Sequence, residues 1–125
     1  MKSAVYVGCC ASIIACSLAF TWPAFSAVDV FWYYPLEHRW AFEQRPTGLA
    51  MDWFGRGGLA IVAGAFAFAF AYGVVRRLKT PPERSLGLWT AWAATALALA
   101  MGVYTYQLAH RRPTPEPLPA WYVPK

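Results

Sequence analysis

Two histidines, His38 and His110, are the residues whose type points most directly to chemistry in this chain. Neutral imidazoles ligate haem iron, and a pair near one face of a membrane makes a candidate haem or pigment site. Neither lies inside an apolar run, and no Cys-x-x-Cys-His is present for covalent attachment. They read first as surface imidazoles, and the sequence specifies no cofactor. Three cysteines, Cys9, Cys10 and Cys16, share the first apolar segment. Their odd number, the adjacent pair and the lack of Cys-x-x-Cys give no disulfide framework and no zinc site, so they are expected to pack as small hydrophobes. No Ser-His-Asp set, no paired carboxylates and no glycine loop ending in Lys-Ser/Thr is found, and Gly55-Arg56-Gly57-Gly58 is too short a signal for phosphate. The expectation is a protein that is not an enzyme.

The elements that would position these residues follow from where charge is missing. Only 14% of the 125 residues are charged, against 58% hydrophobic and 18% aromatic; a soluble domain carries about 25% charged residues. No Asp, Glu, Lys or Arg falls between Ala4 and Ala27, between Gly57 and Val75, or between Ser85 and Ala109. Each window reaches the roughly 18 apolar residues of a membrane-span candidate. The sequence therefore predicts an all-α integral membrane protein, one membrane domain over residues 1–125, with three transmembrane helices at about 4–25, 57–75 and 85–108. An interfacial loop, 28–56, and an extended tail, 111–125, complete it. The net charge of +5 forms no basic stripe, so nucleic acid is not an expected partner. The absence of a titratable group mid-span argues against a pump or transporter.

The first span could instead be a secretory signal, since Lys2 precedes it and Ala24-Phe25-Ser26 resembles a cleavage site. Its length favours a retained span. On the second span Ala60, Gly64, Ala67 and Ala71 share one helical face, with Val62, Phe66 and Phe70 roughly opposite. Thr80-Pro81-Pro82-Glu83 fits a capping box opening the third. That span carries Gly87, Ala91, Ala94, Ala98 and Gly102 on one face. Small residues let helices approach closely in lipid. With the short link Arg76–Thr80, spans two and three are expected to form an antiparallel hairpin packed through these stripes. The basic loop Arg76, Arg77, Lys79 and Arg84, together with Lys2, places the N-terminus in the cytoplasm and the C-terminus outside, in a plasma or bacterial inner membrane.

The loop is dense in rings: Phe31, Trp32, Tyr33, Tyr34, Trp40, Phe42, Trp53 and Phe54. Trp and Tyr concentrate at the headgroup level of a bilayer, and Trp, Tyr and Arg dominate interface hot spots. Pro35 is read as opening a short helix to Gln44, with Arg39 and Glu43 as an i, i+4 pair. In the tail, prolines at 113, 115, 117 and 119 favour an extended chain, ending near Trp121 and Tyr122. Partner docking is expected at Trp32, Tyr33, Tyr34, Trp40, Phe42, Trp53, Trp121 and Tyr122. The reading that unites these features is a non-catalytic accessory or scaffold subunit of a larger membrane complex, with the lipid bilayer and other membrane subunits as partners. Two alternatives are a cofactor- or pigment-associated subunit of an electron-transfer assembly, using His38 and His110, and a small oligomeric channel.

Overall fold

The structure is a computed structural model that describes residues 2–26, 29–43, 50–78 and 85–110. The charge-free runs form three helices: α1 Lys2–Thr21, α2 Trp53–Arg77 and α3 Leu86–His110. A single 3-10 turn, Trp22–Ala24, follows α1, with Pro23 inside it. All three helices are long and apolar enough to cross a membrane. At 1.5 Å per residue, the 25 residues of α2 span about 37 Å, against about 30 Å for a hydrocarbon core. Large apolar side chains on the outer surface, among them Ile61, Phe66, Phe70, Leu97 and Leu99, stay exposed. That pattern fits a multi-pass membrane protein, in which lipid takes the place of a protein interior around these side chains.

α1 is the central element. It packs most extensively on α2 and next on α3, while α2 and α3 share at most a marginal contact among the described residues. The expected packed hairpin of spans two and three is therefore not how the helices associate. Close approach explains the preference for α1. A Cβ on Gly8 would stand 2.9 Å from the Phe68 ring, and one on Gly64 would overlap Cys16 Sγ and stand 2.9 Å from Ser12 Oγ. The Cys16 thiol also donates to the Ala60 carbonyl at 3.1 Å. Numbers rise on α1 as they fall on α2, so these two run antiparallel. Tyr6 meets Thr90 near the start of both helices, and Phe20 meets Tyr104 with ring centroids 5.0 Å apart, so α1 and α3 run parallel. The end of α1, the start of α2 and the end of α3 thus lie together.

The segment expected to be a loop is not irregular, and the fold is not purely α. Val30–Tyr34 forms β1 and Arg39–Glu43 forms β2, an antiparallel pair with Phe31 opposite Phe42 and Tyr33 opposite Trp40. The helix expected from Pro35 is absent for physical reasons. β1 is a run of β-branched and aromatic residues, which suit a pleated surface, and Pro35 ends it because it has no amide to donate. The four residues Pro35–His38 then turn the chain, with His38 at φ 50°, in the left-handed region that His visits more readily than most residues. Tyr33 exchanges backbone hydrogen bonds with Met51 at 2.9 and 2.8 Å, which brings the chain directly into α2. That helix starts at Trp53, four residues before the expected Gly57, and so includes Trp53, Phe54 and Arg56.

Candidate functional site

Where the three helix ends meet, α2 buries an ion pair. Asp52 and Arg56 are 2% and 4% exposed, and Arg56 Nε donates to Asp52 Oδ2 at 2.7 Å. Arg56 Nη1 donates to Gln107 Oε1 at 3.1 Å and points at the Phe20 carbonyl at 3.5 Å. Its guanidinium carbon lies 5.9 Å from the centre of the Tyr104 ring. Asp52 is the N-cap position of α2, yet its side chain makes no capping bond; one carboxylate oxygen goes to Arg56 instead. The five-donor fork of Arg suits such a multi-partner site better than Lys would. One side chain thereby holds α1, α2 and α3 in register. Sequence reasoning placed Arg56 at the membrane surface. The available signal is the Asp52–Arg56 spacing of four, the same i, i+4 spacing as Arg39 and Glu43.

The hairpin is seated on this knot by the absence of a side chain. A Cβ on Gly55 would stand 2.5 Å from the Phe31 carbonyl oxygen and 2.8 Å from its nitrogen, so only glycine lets the backbone of β1 lie against the first turn of α2. The two hairpin faces differ in kind. On the inner face Val30, Trp32 and Tyr34 are buried with Ala41 and Ala50 packed against them. Trp32 Nε1 donates to the Glu43 carbonyl and Tyr34 OH to Glu43 Oε2, both at 2.8 Å. Arg39 lies over the Tyr34 ring at 4.6 Å and donates to Glu37 at 2.8 Å. That hydrogen bond is the main cause holding its pKa above the ordinary arginine value. Glu43 is only a distant second partner, at 3.9 Å.

The outer face is lined by rings in two cross-strand pairs. Phe31 and Phe42 are 4.9 Å apart and Tyr33 and Trp40 4.8 Å. Phe54 of α2 joins them, 5.3 Å from Trp40 and 6.4 Å from Tyr33, and Trp53 stacks on Phe54 at 3.6 Å. Of the expected docking residues, Tyr33, Trp40, Phe42 and Trp53 thus meet on one surface. Trp32 and Tyr34 do not: strand alternation turns them to the buried face, where they serve as core. Trp121, Tyr122 and the capping box lie outside the described residues.

The small-residue stripes divide as well. On α2, Ala60 and Gly64 are buried and Ala67 and Ala71 half-buried, and the partner across from Ala60 and Gly64 is α1 rather than α3. On α3, Gly87, Ala91, Ala94, Ala98 and Gly102 are all exposed. The face turned inward is Leu86, Trp89, Ala93, Ala96, Ala100, Val103 and Gln107, alternating by three and four as in a coiled-coil seam. The expected stripe is rotated from it by about one residue, some 100°. Alanine occurs on several faces of α3, so small size could not choose among them.

The two histidines have separate local partners. His38 Nδ1 is 3.3 Å from Tyr33 OH, while His110 stacks on Tyr106 at 4.0 Å with Nδ1 2.9 Å from the Tyr106 carbonyl. Among the described residues no three of His, Cys, Asp and Glu cluster as metal ligands. Compared with protein-family models, with curated proteins and with solved structures, the chain matches none.

Proposed function

We propose that the chain is a non-catalytic accessory subunit of a larger membrane protein complex. The observation that carries this reading is the outward position of the Gly87, Ala91, Ala94, Ala98 and Gly102 stripe of α3. In lipid, helix association draws on close packing of small residues, and among the described residues this small-residue face of α3 stays exposed while α1 takes the face beside it. The role is one of helix packing and scaffolding, with other membrane subunits as partners.

The orientation we propose has the N-terminus cytoplasmic and the C-terminus outside. The buried pairing of Arg56 supports it, because that arginine no longer counts as a headgroup-facing charge on the outer side. Arg76 and Arg77, exposed at the end of α2, remain on the inner side with Lys2 and also complement the helix dipole there. A plasma or bacterial inner membrane fits this arrangement.

The test is purification in mild detergent with mass spectrometry of what co-elutes. Defined partner subunits should be recovered with the native chain, and Ala94→Leu with Ala98→Leu should release them while the chain stays folded. Recovery of the native chain as a lone monomer in near-native lipid would contradict the proposal.

A further inference from the structure

We infer that the outer face of the β1–β2 hairpin, continued by Trp53 and Phe54 of α2, is an interfacial anchor that lies in the headgroup layer of the bilayer crossed by α2. It rests on the helices crossing a membrane and is independent of any partner subunit.

Three observations lead there. The first is chemical asymmetry. Register places the charged residues of β2, Arg39 and Glu43, opposite Tyr34 and Val30 on the inner face, whereas the outer face pairs Phe31 with Phe42 and Tyr33 with Trp40. A face rich in rings and free of charge suits the boundary between hydrocarbon and headgroups, where a flat ring has an apolar body and Trp or Tyr a polar edge. A protein-binding hot spot would be expected to include arginine, and the arginine of this hairpin is turned away and engaged by Glu37.

The second is continuity. Phe54 belongs to the first turn of α2 and touches both Trp40 and Tyr33. The ring surface therefore runs into the flank of a helix on which Ile61, two turns on from Phe54 and on the same side, is 71% exposed. A surface continuous with that flank faces what the flank faces, which is lipid. Phe31, Trp40, Phe42, Trp53 and Phe54 are each 43–57% exposed, so half of every ring is available for burial.

The third is height. α2 exceeds the hydrocarbon thickness by about 7 Å, or some 3–4 Å at each end when centred. Trp53 and Phe54 then stand at the start of the headgroup region. Trp22 and Phe25 after α1 and Tyr106 near the end of α3 are also exposed, at the same end of the bundle. The hairpin extends this belt sideways, and Gly55 fixes its height by clamping Phe31 to the helix. Because the face is uncharged, phosphatidylcholine alone is a sufficient ligand, with no need for the anionic lipids that polybasic anchors require.

The test uses the full chain reconstituted into phosphatidylcholine vesicles. The fluorescence of Trp40 is isolated as the difference between the native chain and Trp40→Phe, a change that keeps a ring against Tyr33 and Phe54. Lipids brominated near the top of the acyl chain should quench roughly half or more of that component, and aqueous acrylamide should reach it several-fold less than it reaches free tryptophan. A Trp40 component open to acrylamide and untouched by bromine would overturn the inference. So would shielding that is seen only in native membranes with co-purifying protein, because a protein would then be the occupant. A second measurement needs no variant: phospholipid carrying a diazirine near the headgroup should label Phe31, Trp40 or Phe42 of the native chain in the same vesicles. Labelling confined to α1, α2 and α3 would overturn it.

Discussion

Removing the Arg56 side chain tests how the three helix ends are held. In Arg56→Met the apolar stem is kept and the guanidinium is lost, together with its bonds to Asp52 at 2.7 Å and Gln107 at 3.1 Å. Hydrogen bonds to charged groups contribute about 1.5–3 kcal/mol each. Breaking a buried ion pair costs about 3–5 kcal/mol, because the remaining charge stays in a low-dielectric site. Both side chains are no more than 5% exposed, so little of this is screened by water. The upper range applies to a fully dry site, and we take about 3 kcal/mol as the expected loss. That corresponds to a drop of roughly a hundredfold in the folding equilibrium constant. The assay is unfolding of the chain in bicelles by increasing mole fraction of dodecyl sulfate, followed by far-ultraviolet circular dichroism. Asp52→Asn and the double variant complete a cycle. The double variant should cost less than the two single losses together, by about 1–3 kcal/mol. A loss below about 0.5 kcal/mol for Arg56→Met, the size of an ordinary surface change, or strict additivity in the cycle, would refute the reasoning.

Three further outcomes are expected. Gly64→Val should lose about 1–3 kcal/mol through overpacking against Ser12 and Cys16, whereas Gly58→Ala, with nothing within 4 Å of the new Cβ, should lose none; the same unfolding titration compares them. Gly55→Val should leave the helical signal intact but free the hairpin, so that hydrogen exchange at the Tyr33 and Met51 amides, which bond each other's carbonyls, speeds up by an order of magnitude or more. Ser17 Oγ is buried with no hydrogen-bond partner among the described residues, so Ser17→Ala should be neutral or raise stability by up to about 1 kcal/mol; a clear loss would show that the hydroxyl has work in the fold.

The spans were legible because the bilayer imposes a simple rule, a charge-free run of sufficient length, and the three runs obey it. Which helix touches which was not legible. Alanine on several faces of α2 and α3 made the small stripes ambiguous, and the deciding features were single residues on α1, Gly8, Ser12 and Cys16, on a segment that also resembled a signal. The charge-free run opens only after Arg56, so the start of α2 at Trp53 was not legible: that charge is buried against Asp52 inside the bundle. The hairpin had a readable trace in Arg39-Trp40-Ala41-Phe42-Glu43, where rings alternate with other residues, but the continuous rings of β1 hid the same period. Burial of Trp32 and Tyr34 follows only once the strand is known, which is why they were grouped with the exposed rings.

Everything proposed depends on the chain crossing a bilayer three times with the hairpin on one side. Single cysteines at Glu37, Leu78 and His110, in a background with Cys9, Cys10 and Cys16 replaced by alanine, test this in sealed vesicles with a membrane-impermeant maleimide. Glu37→Cys and His110→Cys should be modified from one side and Leu78→Cys only from the other, or after detergent. Modification of all three from a single side of intact vesicles would contradict the account.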